Sequence, residues 1–319
     1  MSVTCRCVFA NWGDNMDRER VEAKPDIGVD TTGWQARYTQ LSELGTGEAG
    51  RAVKVKDNES GRTCCLKELL RGTNWRRLRH ECYAWANLDH PGVVRTIDYD
   101  IRADPAYLVT EFVEGQTLDC YMSTSAPLTH AVVRKLAASV FGALGYIHSQ
   151  HVIHRDLKPR NIILRPTEGS RIDPVVVGLG IPIDAYLDEE MMMSGMGFTV
   201  AAPAYMSPEQ IMGDKLTGAS DVYQLSQILW EILVGRPAFV GRSDMALMAR
   251  KLQDPQLEIP GEVKLDARLA SLIWHCTEGS PDRRPLPEEA VRVLAKIDAG
   301  PFMPRKARPW WKFWGVRRC

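Results

Sequence analysis

Three groups of residues in this chain have types and spacing that suit chemistry. The first is Gly45, Gly47 and Gly50 in LGTGEAGRAV, a GxGxxG. Without Cβ atoms in the way, backbone amides of such a loop can approach phosphate oxygens closely. A Rossmann fingerprint has the same spelling, but that loop opens a helix. Here RAVKV continues as a strand, which puts the glycines at the tip of a hairpin. The second group is Lys67 in CCLKEL and Glu81 in RRLRHECYAW, either of which alone reads as a solvated surface charge. The third is the octet HRDLKPRN at 154–161, which gathers Asp156, Lys158 and Asn161.

The elements that must position these groups change character along the chain. Residues 1–33 are polar and without a period, and read as a flexible leader. YTQLSELG, RAVKVKD and RTCCLKEL then alternate as short antiparallel strands, with turns at 45–50 and 58–61. In WRRLRHECYAWANL, Leu78, Cys82, Trp85 and Leu88 share one helical face. VVRTIDYDI and AYLVTEFV add two strands, completing a small β-rich lobe with one helix. From about residue 117 the periods are helical, as in THAVVRKLAASVFGALGYIHS and SDVYQLSQILWEILVG, with short strands at NIIL and VVV. Cys64 and Cys65 fall on a strand, pointing to opposite faces, which disfavours a mutual disulfide.

Taken in order, the glycine hairpin, the strand lysine, the helix glutamate and the octet resemble the protein-kinase family, most closely its bacterial Ser/Thr members. The resemblance covers about residues 38–297. It implies an α+β fold of two lobes, with the kinase domain at 34–297: a small lobe at about 34–110, a hinge at 111–116 and a helical lobe at 117–297. It implies ATP as nucleotide and a protein substrate or regulated partner. Lys67 would hold the α and β phosphates, oriented by Glu81. Asp156 would receive the substrate hydroxyl proton, Lys158 would steady the transferring phosphate, and Asn161 would bind a metal ion. Lysine two places after the aspartate marks the Ser/Thr subgroup. Thr110 would be the gatekeeper, and adenine would meet the backbone near Glu111 and Val113 beneath Ala52 and Cys65. Glu209 of SPEQ should pair with Arg284 of DRRP, and Asp221 should anchor the catalytic loop from beneath.

The chain departs from that family at the reaction centre. Where the pattern expects Asp-Phe-Gly after a strand, VVV runs into Gly178-Leu179-Gly180. The missing carboxylate would ligate the magnesium that bridges the β and γ phosphates. At about 1.4 kcal/mol per decade, its loss should slow transfer by roughly two to four orders of magnitude. Ala201-Ala202-Pro203 replaces Gly-Thr-Pro and removes a hydroxyl that would contact the catalytic aspartate and lysine. Any Mg2+ is therefore expected to be held weakly, and the family's transferase activity to be pseudokinase-like, with a signalling scaffold or regulator as the role. A carboxylate rescue by Asp173, placed before the strand, or by Asp184 would need an unusual chain path. Leu179 offers an apolar plug where phenylalanine would pack. In the family an arginine placed like Arg155 often answers a phosphate on the activation segment, for which Thr199 or Ser194 is available, although either reads first as an ordinary loop residue.

Bulk properties fit a folded chain of two lobes. The 319 residues are 45% hydrophobic and 25% charged, with 40 basic and 40 acidic side chains. Neutrality argues against a whole-molecule field for nucleic acid or membrane. Eight scattered cysteines without paired zinc spacing fit a reducing, cytoplasmic setting. No apolar run approaches the roughly 18 residues of a membrane span. Residues 298–319 form a tail, and PFMPRKARPWWKFWGVRRC packs six Lys or Arg with five aromatics into nineteen positions. Residues 302–319 suit an anionic membrane surface, which would make the chain peripheral on the inner face. Folding back onto the kinase lobe or docking on a protein is the other reading, and nucleic acid is not expected.

Overall fold

A computed structural model describes residues 33–47, 50–69, 82–124, 128–167, 171–178 and 203–297 of the chain. Leu78, Glu81, Leu179, Gly180, Asp184, Ser194, Thr199, Ala201, Ala202, the leader up to residue 32 and the tail lie outside these residues.

The small lobe is an antiparallel sheet of β1 (Tyr38–Gly47), β2 (Gly50–Asp57), β3 (Thr63–Glu68), β4 (Thr96–Asp100) and β5 (Tyr107–Glu111), in the order β1-β2-β3-β5-β4. Side chains alternate across a pleated strand. Val53, Val55, Cys64, Leu66, Tyr107 and Val109 accordingly bury on one face, together with Trp34 and Tyr38. Ala52, Cys65, Lys67 and Thr110 take the other face. The β2–β3 turn is fixed by Asp57, which accepts hydrogen bonds from Ser60 Oγ (2.7 Å) and Glu59 N (3.1 Å) and pairs with Arg37. Upstream, a 3-10 turn at Gly33–Ala36 seats Trp34 against the sheet, its Nε1 donating to Glu68 Oε1 at 2.7 Å. At 82–86 the chain is helical, and Cys82, Trp85 and Leu88 are buried, as their spacing predicts.

Beyond β5, residues 112–115 connect the lobes, followed by β6 (Gln116–Thr117) and α1 (Leu118–Thr124). The large lobe contains α2 (His130–Ser149), α3 (Pro208–Met212), α4 (Gly218–Val234), α5 (Asp244–Gln253), α6 (Ala267–Cys276) and α7 (Pro287–Ala295). It also holds β7 (Ile162–Thr167) and β8 (Arg171–Val176), in a sheet of order β6-β7-β8. The two-lobed α+β architecture is the expected one. Asp173 needs a correction: it lies within β8, exposed and opposite Arg165, rather than before the strand. Six residues of hydrophobic pattern at 172–177 are enough to carry the strand through an acidic position whose side chain faces water.

Helix α4 is the centre of the large lobe, with residues 220–231 buried without interruption. Such a helix must satisfy its polar side chains internally. One apolar cluster runs from Leu69, Cys82, Trp85 and Leu108 of the small lobe to Ile228 and Leu272 of the large one.

Candidate active site

The octet forms a loop between α2 and β7, and His154 is its peg. Its ring is fully buried, meets Trp85 edge-on at 5.5 Å, and places Nε2 3.2 Å from Val177 O. Burial pulls the His154 imidazole below its ordinary range, so it packs as a neutral ring. From beneath, Asp221 accepts from His154 N (2.8 Å) and Arg155 N (2.7 Å), with His148 Nε2 at 2.8 Å. That is the anchoring expected of Asp221.

Asp156, Lys158 and Asn161 converge. Lys158 Nζ lies 2.9 Å from Asp156 Oδ2, and Asn161 Nδ2 donates to Asp156 O (2.7 Å) and Oδ2 (3.2 Å). Lys67 reaches the same site from β3. Burial lowers the pKa of its ammonium, while the Asp156 carboxylate acts in the opposite direction. Ala52 pairs with Lys67 in register, and Cys65 lies opposite Thr110. Burial raises the Cys65 thiol, making it a poor nucleophile. Gly45 and Gly47 pair across the hairpin with Ala52 and Gly50. Gly50 has no substitute: with φ +121°, a Cβ there would lie 1.8 Å from Glu68 O. Glu111 ends β5, its backbone N donating to Arg95 O at 2.9 Å, and Val113 is buried in the connection below it.

Gly178 closes the site on the other side. Val177 N donates to Asn161 O at 2.9 Å, drawing the end of β8 onto the loop. Gly178 then takes φ +85°, and a Cβ on it would lie 2.9 Å from both Cγ and Oδ1 of Asn161. The Asn161 side chain stands where a side chain at 178 would begin. Among the described residues, no three His, Cys, Asp or Glu side chains converge as metal ligands.

Below the loop, Arg284 Nη1 and Nη2 donate to Glu209 Oε1 (2.7 Å) and Oε2 (2.9 Å), both side chains buried. This is the pair expected from the sequence. Burial pushes the Glu209 carboxyl up, but Arg284 outweighs it and the net shift is downward.

Residues 38–293 match the family profile described as "Protein kinase domain". The chain belongs to the protein kinase family. Within it, the chain is similar to "Serine/threonine-protein kinase PkaA" of Streptomyces coelicolor, 30% identical over 279 residues, 86% of this chain and 48% of that protein. It is also similar to "Probable serine/threonine-protein kinase PkwA" of Thermomonospora curvata, 30% identical over 84% of this chain and 35% of the relative. "Serine/threonine-protein kinase PknB" of Mycobacterium tuberculosis is 31% identical over 78% and 40%. The kinase domain is of the bacterial Ser/Thr type, and the chain spans less than half the length of these relatives.

Other site-supporting residues escaped the sequence reading. Gln210 and Gln224 reach the catalytic loop from α3 and α4. Lys251 of α5 is fully buried and donates to Ala204 O (2.8 Å) and Gln227 Oε1 (2.9 Å). A signal for this existed: Gln224, Gln227 and Glu231 recur at helical spacing in an otherwise apolar helix, which marks a polar stripe inside a core.

Proposed function

We propose that this kinase domain binds ATP and transfers its phosphoryl group to protein Ser/Thr weakly or not at all, acting as a pseudokinase scaffold or regulator. The observation that carries the reading is the close approach of Gly178 to Asn161. A magnesium ion prefers several oxygen ligands in near-octahedral order. Gly178 brings no carboxylate, and the Asp156 carboxylate is already engaged by Lys158. The described residues therefore fit the ion poorly, whereas Lys67 and the glycine hairpin are the groups this reading assigns to the phosphates. Comparable ATP affinity with and without Mg2+, together with a single-turnover rate equal to that of Asp156→Asn, is the expected result. Affinity that depends steeply on Mg2+ would sink it.

The second reading is a working Ser/Thr kinase using Asp156, Lys158 and Asn161 with unusual metal use. It is favoured by the intact convergence of these three side chains. Transfer that vanishes in Asp156→Asn would establish it. For the tail, liposome co-sedimentation with and without residues 302–319 decides whether it docks on anionic lipid. Among the described residues, no helix is long and apolar enough to cross a membrane.

A further inference from the structure

Asp156 sits in backbone that requires external support. The preceding Arg155 has φ +68°, a left-handed conformation that a bulky side chain adopts only when its surroundings over-determine it. Asp221 contributes by accepting from the two amides before Asp156.

Two glutamines complete the support. Gln224 Oε1 accepts from Leu157 N at 2.9 Å, while its Nε2 donates to Arg155 O at 3.0 Å and to Gln210 Oε1 at 2.8 Å. Gln210 Nε2 donates to the same Arg155 O at 2.7 Å, and its Oε1 accepts from Ser207 N at 3.0 Å. One side chain of α4 thus grips the carbonyl before Asp156 and the amide after it. The remaining groups of the two flanking peptides are also paired. Asp156 N donates to His154 O (2.9 Å), and Asp156 O accepts from Asn161 Nδ2 (2.7 Å). Every N–H and C=O in these two peptide planes has a partner, so neither plane can turn without orphaning a buried group.

We propose that Gln224, assisted by Gln210, is a positioning residue for Asp156, holding the carboxylate in its working orientation from within the core and independently of nucleotide or metal. The proposal rests on the reading of Asp156 as the acceptor-side group of the kinase site. Gln224 is buried at the base of the loop, whereas Lys67 and the glycine hairpin belong to the other lobe. Disturbing the glutamine should therefore alter the loop and any transfer, and leave nucleotide affinity alone.

The test uses the full chain and Gln224→Met, which keeps the volume and removes all three hydrogen bonds, beside Gln224→Glu, which keeps the acceptor for Leu157 N. Hydrogen exchange at 154–158, ATP affinity without metal, and single-turnover transfer are read together. Loss of these bonds in Gln224→Met should speed exchange at Leu157 about tenfold and lower transfer by a similar factor, with the ATP dissociation constant unchanged within about twofold. Gln224→Glu should retain more of the Leu157 protection. If Gln224→Met does not fold, Gln210→Ala removes one of the two donors to Arg155 O, and a smaller local acceleration is expected. Wild-type exchange at 154–158 in folded Gln224→Met overturns the proposal, as does acceleration spread evenly over the large lobe. A wild type without transfer removes the enzyme reading only, since the exchange pattern still decides the positioning role.

Discussion

The two sides of Asp156 are built differently. Toward the core, Asp221, Gln224 and Gln210 pair the loop's backbone groups, and the Glu209–Arg284 ion pair braces α3 beneath. Toward the cleft, Lys158 pairs with Asp156, and Asn161 meets a glycine where the family pattern has a carboxylate. The difference teaches which losses a fold tolerates. A buried polar group removed from the core side leaves its partners orphaned at considerable cost. At the cleft, glycine brings no side-chain group that needs a partner, and the Asn161 side chain stands where its Cβ would be. The cleft side can therefore lose its metal carboxylate while the core side stays fully paired.

The largest way to break this contrast is Arg284→Ala, which strands the buried Glu209 carboxylate. Urea denaturation should show a loss of about 3–5 kcal/mol, whereas a loss below about 1 kcal/mol would place the brace outside the frame.

Next comes pH. Burial depresses the Lys251 ammonium to about 7 from its ordinary 10.5. Above pH 7 the folded chain then holds fewer protons than the unfolded chain, so stability rises with pH toward 10.5. Below 7 both states are protonated and the buried charge is felt in full. Glu231 and Glu209 face this ammonium, and burial raises the Glu231 carboxyl. Between pH 7 and 9, the stability of the wild type relative to Lys251→Met should grow by at most about 1.4 kcal/mol per pH unit in denaturation midpoints.

Gly178→Asp sharpens the comparison from the cleft side. A left-handed aspartate facing Asn161 should cost about 1–3 kcal/mol in thermal melts, and single-turnover assays with Mg2+ should show no gain in transfer. A rise in rate would mean that the end of β8 yields easily. The smallest effect belongs far from the contrast. Trp34→Phe removes the hydrogen bond to Glu68 and should cost about 0.5–1.5 kcal/mol with ATP affinity unchanged.

Much of this molecule was legible in its letters. The period-2 and helical patterns gave the strands and the buried face of Cys82, Trp85 and Leu88, because burial imposes a fixed spacing on local sequence. The motif residues Asp156, Lys158, Asn161 and Asp221, and the Glu209–Arg284 pair, were legible because their residue types in that order resemble a known family. The supports at Gln210, Lys251 and Trp34 were not, and for Gln224 the helical spacing signalled a buried polar stripe without its partners. Glutamine and lysine are ordinarily surface residues, and no spacing rule says which carbonyl a buried amide will find 55 or 69 positions away.

Position 178 shows where the division falls. By itself the sequence determined that no carboxylate stands there, since glycine has no side chain to offer. Only the tertiary structure decided which group stands beside that position. The bond from Val177 N to Asn161 O draws the chain inward, and at φ +85° a Cβ would meet the Asn161 side chain, 2.9 Å from its Cγ and Oδ1. Residue identity fixes which atoms exist, whereas the space left for absent ones is set by long-range packing that no local pattern encodes.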